Sequence, residues 1–151
     1  MNSLTLKENG FVDFVALKGL SFSNLPPNKG SVLVLADSTN TGKPTSDILY
    51  IGRTKKPSRR ILGGYLAGYG GKTTRKINSK LMGDGYIEKV AISWMFSENP
   101  KVAQQKLLES FIKDHGEYPA WNAPKKIPRK SQPTPKTAKP RLARKPEKSA
   151  S

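Results

Sequence analysis

Tyr50 and Arg60 stand ten residues apart in the part of the chain that is richest in basic groups. Between Ile48 and Gly83 the sequence has nine Lys or Arg residues and no Asp or Glu. An arginine fork binds phosphate oxygens, and a tyrosine hydroxyl beside cations can accept a proton when its pKa is lowered. Together with a carboxylate that holds a divalent cation, these groups would suit phosphodiester hydrolysis. The first hypothesis is therefore chemistry on a phosphate backbone.

Composition narrows the class of partner. The 151-residue chain has a formal charge of +16 and 35% hydrophobic residues, enough for one modest domain. Such a charge favours nucleic acid, because neutralised phosphates release counterions, although acidic proteins or anionic lipids remain an alternative. The chain has no cysteine, which excludes disulfides and thiolate metal sites. No apolar run reaches the roughly eighteen residues that span a bilayer, so we expect no membrane partner. We expect a cytoplasmic protein with DNA as its partner.

The composition changes after Asn122. Residues 123–151 contain ten Lys or Arg, one acid and six prolines, with only two large apolar side chains. A segment of this kind cannot bury enough apolar surface to fold. We therefore predict a disordered Lys/Arg/Pro-rich tail over 123–151, which adds salt-sensitive affinity for nucleic acid. Residues 27–122 are predicted as the folded domain, and residues 1–26 as an N-terminal extension.

Apolar runs and turn residues predict the elements that position these groups. Residues 31–36 and 48–52 are predicted strands of a hairpin with a long polar loop, and residues 86–96 are a predicted third strand. Pro57 is a favourable first residue for a helix that the glycines at 68–71 interrupt. A second helix should end near residue 81, and a third should begin after Asn99 and stop at Gly116. We predict an α/β fold in which a small three-stranded sheet is flanked by helices.

In this order the pieces resemble the GIY-YIG nuclease family over about residues 27–122. The resemblance rests on the strand that ends in Tyr50-Ile51-Gly52, on Arg60, and on Tyr118-Pro119-Ala120-Trp121-Asn122 after the last helix. Leu33 stands where the family has its first tyrosine. The resemblance implies a GIY-YIG-like nuclease domain and a metal-dependent DNA endonuclease, with Tyr50 as general base and Arg60 on the scissile phosphate. It also implies a glutamate on the last helix that binds Mg²⁺ or Mn²⁺.

Two residues compete for the position of the metal ligand. Glu109 has roughly the family's separation from Asn122, and we take it as the catalytic metal ligand. However, Ala103, Leu107, Leu108, Phe111 and Ile112 form one face of the predicted helix, with Gln104 in its middle and Glu109 on its flank. If Gln104 holds the ligand position, an amide stands where the metal prefers a charged oxygen. Activity would then be feeble or lost.

The other predicted site residues follow from the charge pattern and from the resemblance. Tyr65 lies one residue from a position that the family usually fills with His or Tyr. Gly52 and Asn122 are expected to be structural. The predicted nucleic-acid contacts are Arg53, Lys55, Lys56, Arg59, Tyr65, Lys72, Arg75 and Lys76.

Three functions remain open from the sequence. The first, which we take as the working hypothesis, is the metal-dependent endonuclease, and the alternative is a catalytically degenerate GIY-YIG module that binds DNA without cutting it. The third is a basic RNA-binding or chromatin-like protein in which the tail dominates. The sequence does not indicate the target sequence, the biological pathway or the oligomeric state.

Overall fold

The structure, a computed structural model, describes residues 1–20, 22–40 and 46–122. Its centre is a four-stranded antiparallel sheet with the strand order β1-β4-β2-β3. The strands are β1 (Val15–Ala16), β2 (Ser31–Asp37), β3 (Ile48–Thr54) and β4 (Val90–Phe96). The predicted tail over 123–151 lies outside the described residues.

Strand β2 is the inner strand on which the sheet is built. Its residues from Ser31 to Ala36 are all buried, which matches the unbroken apolar run in the sequence. It pairs with β3 on one side and β4 on the other, whereas β3 has one ladder partner and forms an edge of the sheet. The site residues of β3 therefore lie at an edge, where another segment can reach their backbone.

Helices cover both faces of the sheet. They are α1 (Ser3–Glu8), α2 (Pro57–Arg59), α3 (Lys72–Met82) and α4 (Pro100–His115). A π-helical segment (Arg60–Leu66) continues directly from α2, and short 3-10 turns occupy Phe22–Asn24, Ser38–Asn40 and Tyr86–Glu88. The Asn99 side chain accepts from the Val102 N–H at the start of α4, and Gly116 ends the helix with φ of 78°. The predicted limits of this helix are confirmed.

Two apolar clusters lie on opposite faces of the sheet. One joins Leu33, Leu35 and Tyr50 to the π-helical segment and α3 through Ile61, Tyr65, Ile77 and Leu81. The other joins Val32, Val34 and Ile51 to α1 and α4 through Leu6, Leu108 and Phe111. Because side chains alternate along a strand, Tyr50 and Ile51 belong to different clusters. The β3 motif thus contacts both helical layers.

The predicted α/β class is confirmed, but the number of strands is four rather than three. Strand β1 was missed because it has only two residues and depends on long-range pairing of Val15 with Ile92. The predicted third strand begins at Val90, because residues 86–88 form a 3-10 turn. In the part of the chain that the structure describes, no helix is long and apolar enough to cross a membrane.

Candidate active site

The Tyr50 ring lies over Gly52, the residue two positions later in β3. Their side-chain positions lie on the same face, and a Cβ at position 52 would be 2.8 Å from the Tyr50 hydroxyl oxygen. Only glycine leaves room for this ring. Leu33 is the cross-strand partner of Gly52 and is fully buried, so the position of the family's first tyrosine is filled by an apolar core residue.

The pKa of Tyr50 is raised above its ordinary value of 10.0, because the hydroxyl is removed from water. Arg60, a hydrogen bond with Tyr65, and Arg53 each lower the pKa, but burial has the larger effect. In the metal-free protein, burial therefore opposes the lowered pKa that a tyrosine base needs, and the role of Tyr50 as general base stays a prediction. At neutral pH, Tyr50 carries its proton and can donate a hydrogen bond.

The π-helical segment brings Arg60 and Tyr65 to the same side of the helix. In a π-helix the hydrogen bonds run from residue i to residue i+5, so each turn takes one residue more than an α-helical turn. Tyr65 is five residues after Arg60, and its ring meets the Tyr50 ring edge to face with centroids 6.4 Å apart. The π-helical segment thus puts Tyr65 on the same side as Arg60 and against Tyr50.

Tyr65 is fully buried, and its hydroxyl has no hydrogen-bond partner of ordinary geometry. Burial, and next the neighbouring Tyr50, raise the pKa of Tyr65, while Arg60 opposes the rise. A side chain with no exposed surface cannot contact DNA. The predicted nucleic-acid contact by Tyr65 is therefore corrected: its ring packs beneath Tyr50 and Arg60.

A basic cleft opens beside Arg60. Its volume is about 390 Å³, and four of its lining residues are Lys or Arg while none is acidic. Gly64 lies at its floor, where a Cβ would be 2.6 Å from Thr74 Cγ2, so glycine allows α3 to approach the π-helical segment. The lining residues are Thr54, Lys55, Lys56, Arg59, Arg60, Gly63, Gly64, Tyr69 and Gly70. The structure thus places Lys55, Lys56 and Arg59 beside Arg60.

Gln104 occupies the α4 position that faces the β3 motif. Its Nε2 donates to the Ile51 carbonyl oxygen at 3.1 Å, and its Oε1 accepts from Arg53 Nη1 at 2.6 Å. Both polar atoms of the amide are therefore bonded. Gln104, Arg53 and Asn122, grouped around the Ile51 backbone, are called the amide corner below.

Glu109 lies on the exposed side of α4. Its carboxylate accepts from Gln105 Nε2 at 3.4 Å, within the same helix. The structure shows no contact between Glu109 and Tyr50 or Arg60. The predicted metal-binding role of Glu109 is thus not supported by this arrangement, and it stays a prediction.

Asn122 closes the edge of β3. Its Oδ1 accepts from the Ile51 N–H and its Nδ2 donates to the Ile51 carbonyl, each at 2.9 Å. The Trp121 N–H also donates to the Leu49 carbonyl oxygen at 2.8 Å. These contacts satisfy backbone groups that would otherwise be unpaired at a sheet edge. They also fix the backbone that carries Tyr50.

The other predicted nucleic-acid residues are not part of the basic cleft. Lys72 and Lys76 line a separate groove along α3 together with Lys80, Trp121 and Asn122, and Arg75 is exposed on the same helix. Sequence reasoning missed Lys80, whose Nζ lies 5.9 Å from the Trp121 ring centroid. The spacing of Lys72, Lys76 and Lys80 at every fourth residue was the available signal.

The residues present do not fit a divalent cation. No group of three or more His, Cys, Asp or Glu that could hold a metal ion occurs among the described residues. Mg²⁺ prefers carboxylates, and the one side-chain oxygen of Gln104 already accepts from a guanidinium whose positive charge would repel the metal. The Gln104 amide thus does not favour a divalent cation at the amide corner, and the expected Mg²⁺ or Mn²⁺ stays a prediction.

Comparison with known protein families identifies the domain. Residues 40–118, just over half of the chain, match the family described as the GIY-YIG catalytic domain, and the chain belongs to this family. The match includes Tyr50, Arg60 and Gln104, while β2 with Leu33 precedes it. Comparison with curated proteins and with solved structures gave no match. The domain is thus of a nuclease type whose family members act on DNA.

Proposed function

We propose that this chain binds the DNA backbone at the Tyr50–Arg60 site and that the site hydrolyses DNA feebly or not at all. The observation that carries this proposal is the Gln104 amide, which occupies the helix position facing the β3 motif and uses both polar atoms in bonds within the protein. The protein would retain a phosphate-binding surface and lack the carboxylate that draws a metal ion to it.

The phosphate-binding half of the proposal rests on charge and on hydrogen-bond donors. The cleft presents Lys55, Lys56, Arg59 and Arg60 with no acidic group, so a bound phosphate releases counterions and meets no repelling charge. Arg60 supplies a planar pair of donors, which suits two oxygens of one phosphate. Tyr50 keeps its proton and is a neutral hydrogen-bond donor close to Arg60.

The proposed loss of hydrolysis rests on the groups that the site lacks for attack by water on the phosphate. Hydrolysis requires a base for the proton of the attacking water, and a group that stabilises charge on the phosphate and on the leaving oxygen. The raised pKa keeps the Tyr50 hydroxyl protonated at neutral pH, so it is not available as a base, and no carboxylate among the cleft's lining residues can hold a metal ion on the leaving oxygen. Binding without rapid cleavage follows from these two conditions.

Binding is tested by titrating labelled duplex DNA with the full-length protein at several salt concentrations. Arg60→Ala should weaken binding about ten-fold, because a charge-assisted hydrogen bond contributes about 1.5–3 kcal/mol. Arg60→Lys should recover part of the loss, since it restores the charge but not the fork. Lys113→Ala, which removes one exposed charge from α4, is the matched control. Equal losses in Arg60→Ala and Lys113→Ala would contradict the proposed site.

A second candidate is the metal-dependent DNA endonuclease, in which Tyr50 is the general base, Arg60 contacts the phosphate and Glu109 holds Mg²⁺ or Mn²⁺. The close arrangement of Tyr50, Arg60 and Tyr65 in a family of catalytic domains favours it. It predicts that the wild-type protein nicks supercoiled plasmid with either metal and that EDTA or Glu109→Ala abolishes nicking. Glu117→Ala removes another exposed carboxylate beyond α4 and serves as the control.

A further inference from the structure

A row of cross-strand neighbours ends the sheet next to the basic cleft. Phe96 of β4 pairs with Ser31 of β2, and Ser31 pairs with Thr54 of β3. Strands lie about 4.8 Å apart, so Phe96 is roughly 10 Å from the strand that enters the cleft. Lys29 precedes the middle strand and Lys55 follows the outer one. The sheet thus brings two cations and one aromatic ring together at one end.

The ring of Phe96 is unusual for a phenylalanine because it is exposed to solvent. Its side chain is 46% exposed, whereas Phe11 and Phe111 are 5% and 4% exposed. Lys29 Nζ lies 5.7 Å from the ring centroid, a cation–π contact that holds a positive charge beside the ring. An exposed aromatic ring with adjacent cations is the combination that binds a nucleotide by its base and its phosphate together.

A groove surrounds this ring and joins it to the basic cleft. Lys55 lines both the groove and the cleft, so one continuous surface runs from Arg60 to Phe96. Glu98 is the one acid among the groove's lining residues, and its charge repels phosphate from that part. A base, rather than a phosphate, is thus favoured against the Phe96 ring. The groove is lined by Asn28, Lys29, Gly30, Lys55, Phe96, Ser97, Glu98 and Pro100.

A second exposed ring stands at the cleft itself. Tyr69 is 75% exposed and lines the basic cleft together with Arg60. A strand whose phosphate lies on Arg60 can therefore meet Phe96 on one side and Tyr69 in the cleft. In a duplex the faces of the bases are stacked on one another and are not free for protein rings, whereas unpaired bases stack readily on aromatic side chains.

We infer that this surface takes a DNA strand with unpaired bases, and that Phe96 stacks on one of them while Arg60 holds a nearby phosphate. The inference rests on the proposed DNA binding and adds the class of substrate: single-stranded DNA, or the single-stranded part of a branched or flapped duplex. Phe96 is the residue that distinguishes this class from ordinary duplex DNA.

The test uses the full-length protein and three labelled probes of equal length. They are a single strand of mixed sequence, the same backbone with abasic sites, and the fully paired duplex. Each should exceed the site sizes of about 4 to 16 nucleotides known for single-strand binding folds. The abasic probe retains every phosphate and lacks the bases, so the affinity ratio of the first two probes measures base stacking alone.

The wild-type protein should bind the base-bearing strand at least about five-fold more tightly than the abasic strand, as expected for one stacked base. Phe96→Leu should abolish this ratio and leave abasic and duplex affinities unchanged, and Phe96→Trp should restore it. Leu4→Ala, which changes another exposed apolar residue, should have no effect. The thermal unfolding of each variant is measured together with its binding, so that a folding defect in Phe96→Leu is recognised. If Phe96→Leu has such a defect, the wild type is compared with Phe96→Trp instead.

Two kinds of failure are distinguishable. Salt-dependent binding to duplex and abasic DNA without any preference for bases, or an equal loss on all three probes in Phe96→Leu, would overturn the stacking inference and leave the proposed function standing. No binding to any probe would overturn the proposed function itself.

Discussion

The basic cleft and the amide corner lie on opposite sides of β3. They differ in the functional groups that they present. On the cleft side, Tyr50 and Arg60 remain together above the buried Tyr65, and four cations line the surface. On the α4 side, Gln104 is bonded to Arg53 and to the Ile51 carbonyl, and the predicted metal ligand, Glu109, is on the exposed face.

The difference teaches which part of the site can change without loss of the fold. Under the proposed function the cleft binds an anion through Lys55, Lys56, Arg59 and Arg60, none of which bonds to the Ile51 backbone. The amide corner, in contrast, supports the β3 edge through both Gln104 and Asn122, so the amide has a structural use that a metal-binding carboxylate would not need. The proposed phosphate binding and the predicted metal binding thus depend on separate residues, and we expect variants on the two sides to behave differently.

Gly52→Ala should have the largest effect on the cleft side. The new Cβ would lie 2.8 Å from the Tyr50 hydroxyl oxygen, so the ring must leave its position against the sheet. We expect the free energy of unfolding to fall by about 1–3 kcal/mol, as for other overpacked cores, and DNA binding to weaken with it. Denaturant unfolding measures the first effect. Gly63→Ala is the matched control, because its Cβ meets no atom within 4 Å; equal destabilisation of both variants would contradict this packing.

Asn122→Ala should loosen the amide corner and leave the cleft intact. The Ile51 N–H loses its acceptor, whereas the Ile51 carbonyl keeps the bond from Gln104, so we expect a loss of about 1–2 kcal/mol. Asn122→Asp keeps an acceptor for the N–H and should cost less. Hydrogen exchange at the Ile51 amide follows the bond directly. Unchanged protection of this amide in Asn122→Ala would show that Asn122 does not hold the edge.

Tyr65→Phe should have a small effect of the opposite sign. The buried hydroxyl makes no hydrogen bond of ordinary geometry, so removal of this poorly satisfied polar group should raise the free energy of unfolding by about 0.5–1 kcal/mol at neutral pH. Phe has nearly the same shape, and the packing against Tyr50 is retained. A loss of stability in Tyr65→Phe would mean that the hydroxyl is well bonded in the folded protein.

The same variant tests the pH dependence of stability. Burial raises the pKa of both Tyr50 and Tyr65, so the unfolded chain releases these protons near the ordinary value of 10.0 while the folded protein still holds them. The unfolded state then binds fewer protons, and stability that is complete below about pH 10 falls as the pH rises further. Tyr65→Phe should lessen this alkaline loss in denaturant unfolding measured at neutral and high pH. An unchanged slope would contradict the raised pKa of Tyr65.

The sequence predicted the elements whose signals are local. Strand β2 is an unbroken apolar run, and α4 has Asn99 and Gly116 at its ends, so both could be located from composition and caps. The two-residue strand β1 could not be located, because its pairing with β4 joins residues far apart in the chain. The closeness of Tyr50 and Arg60 came from the resemblance, not from any periodicity.

The finer geometry of the site depended on contacts between elements. Helical periodicity put Gln104 on the apolar face of α4, but it could not show which backbone group this face would meet. The structure shows that the Gln104 side chain meets the Ile51 carbonyl oxygen. In the same way, no local signal indicated that a π-helical turn would place Tyr65 beside Arg60.

The central claim is that an amide at position 104 separates binding from cleavage. The most direct measurement is nicking of supercoiled plasmid with Mg²⁺, with an EDTA control, by the wild-type protein, Gln104→Glu and Gln105→Glu. The last variant adds the same charge one residue away on the exposed face of α4. We predict feeble or no cutting by the wild type and by Gln105→Glu. Gln104→Glu should gain at least about 100-fold in metal-dependent rate, since a bound metal contributes several kcal/mol to charge stabilisation. Wild-type cutting as fast as that of Gln104→Glu, and lost in Glu109→Ala, would contradict the account.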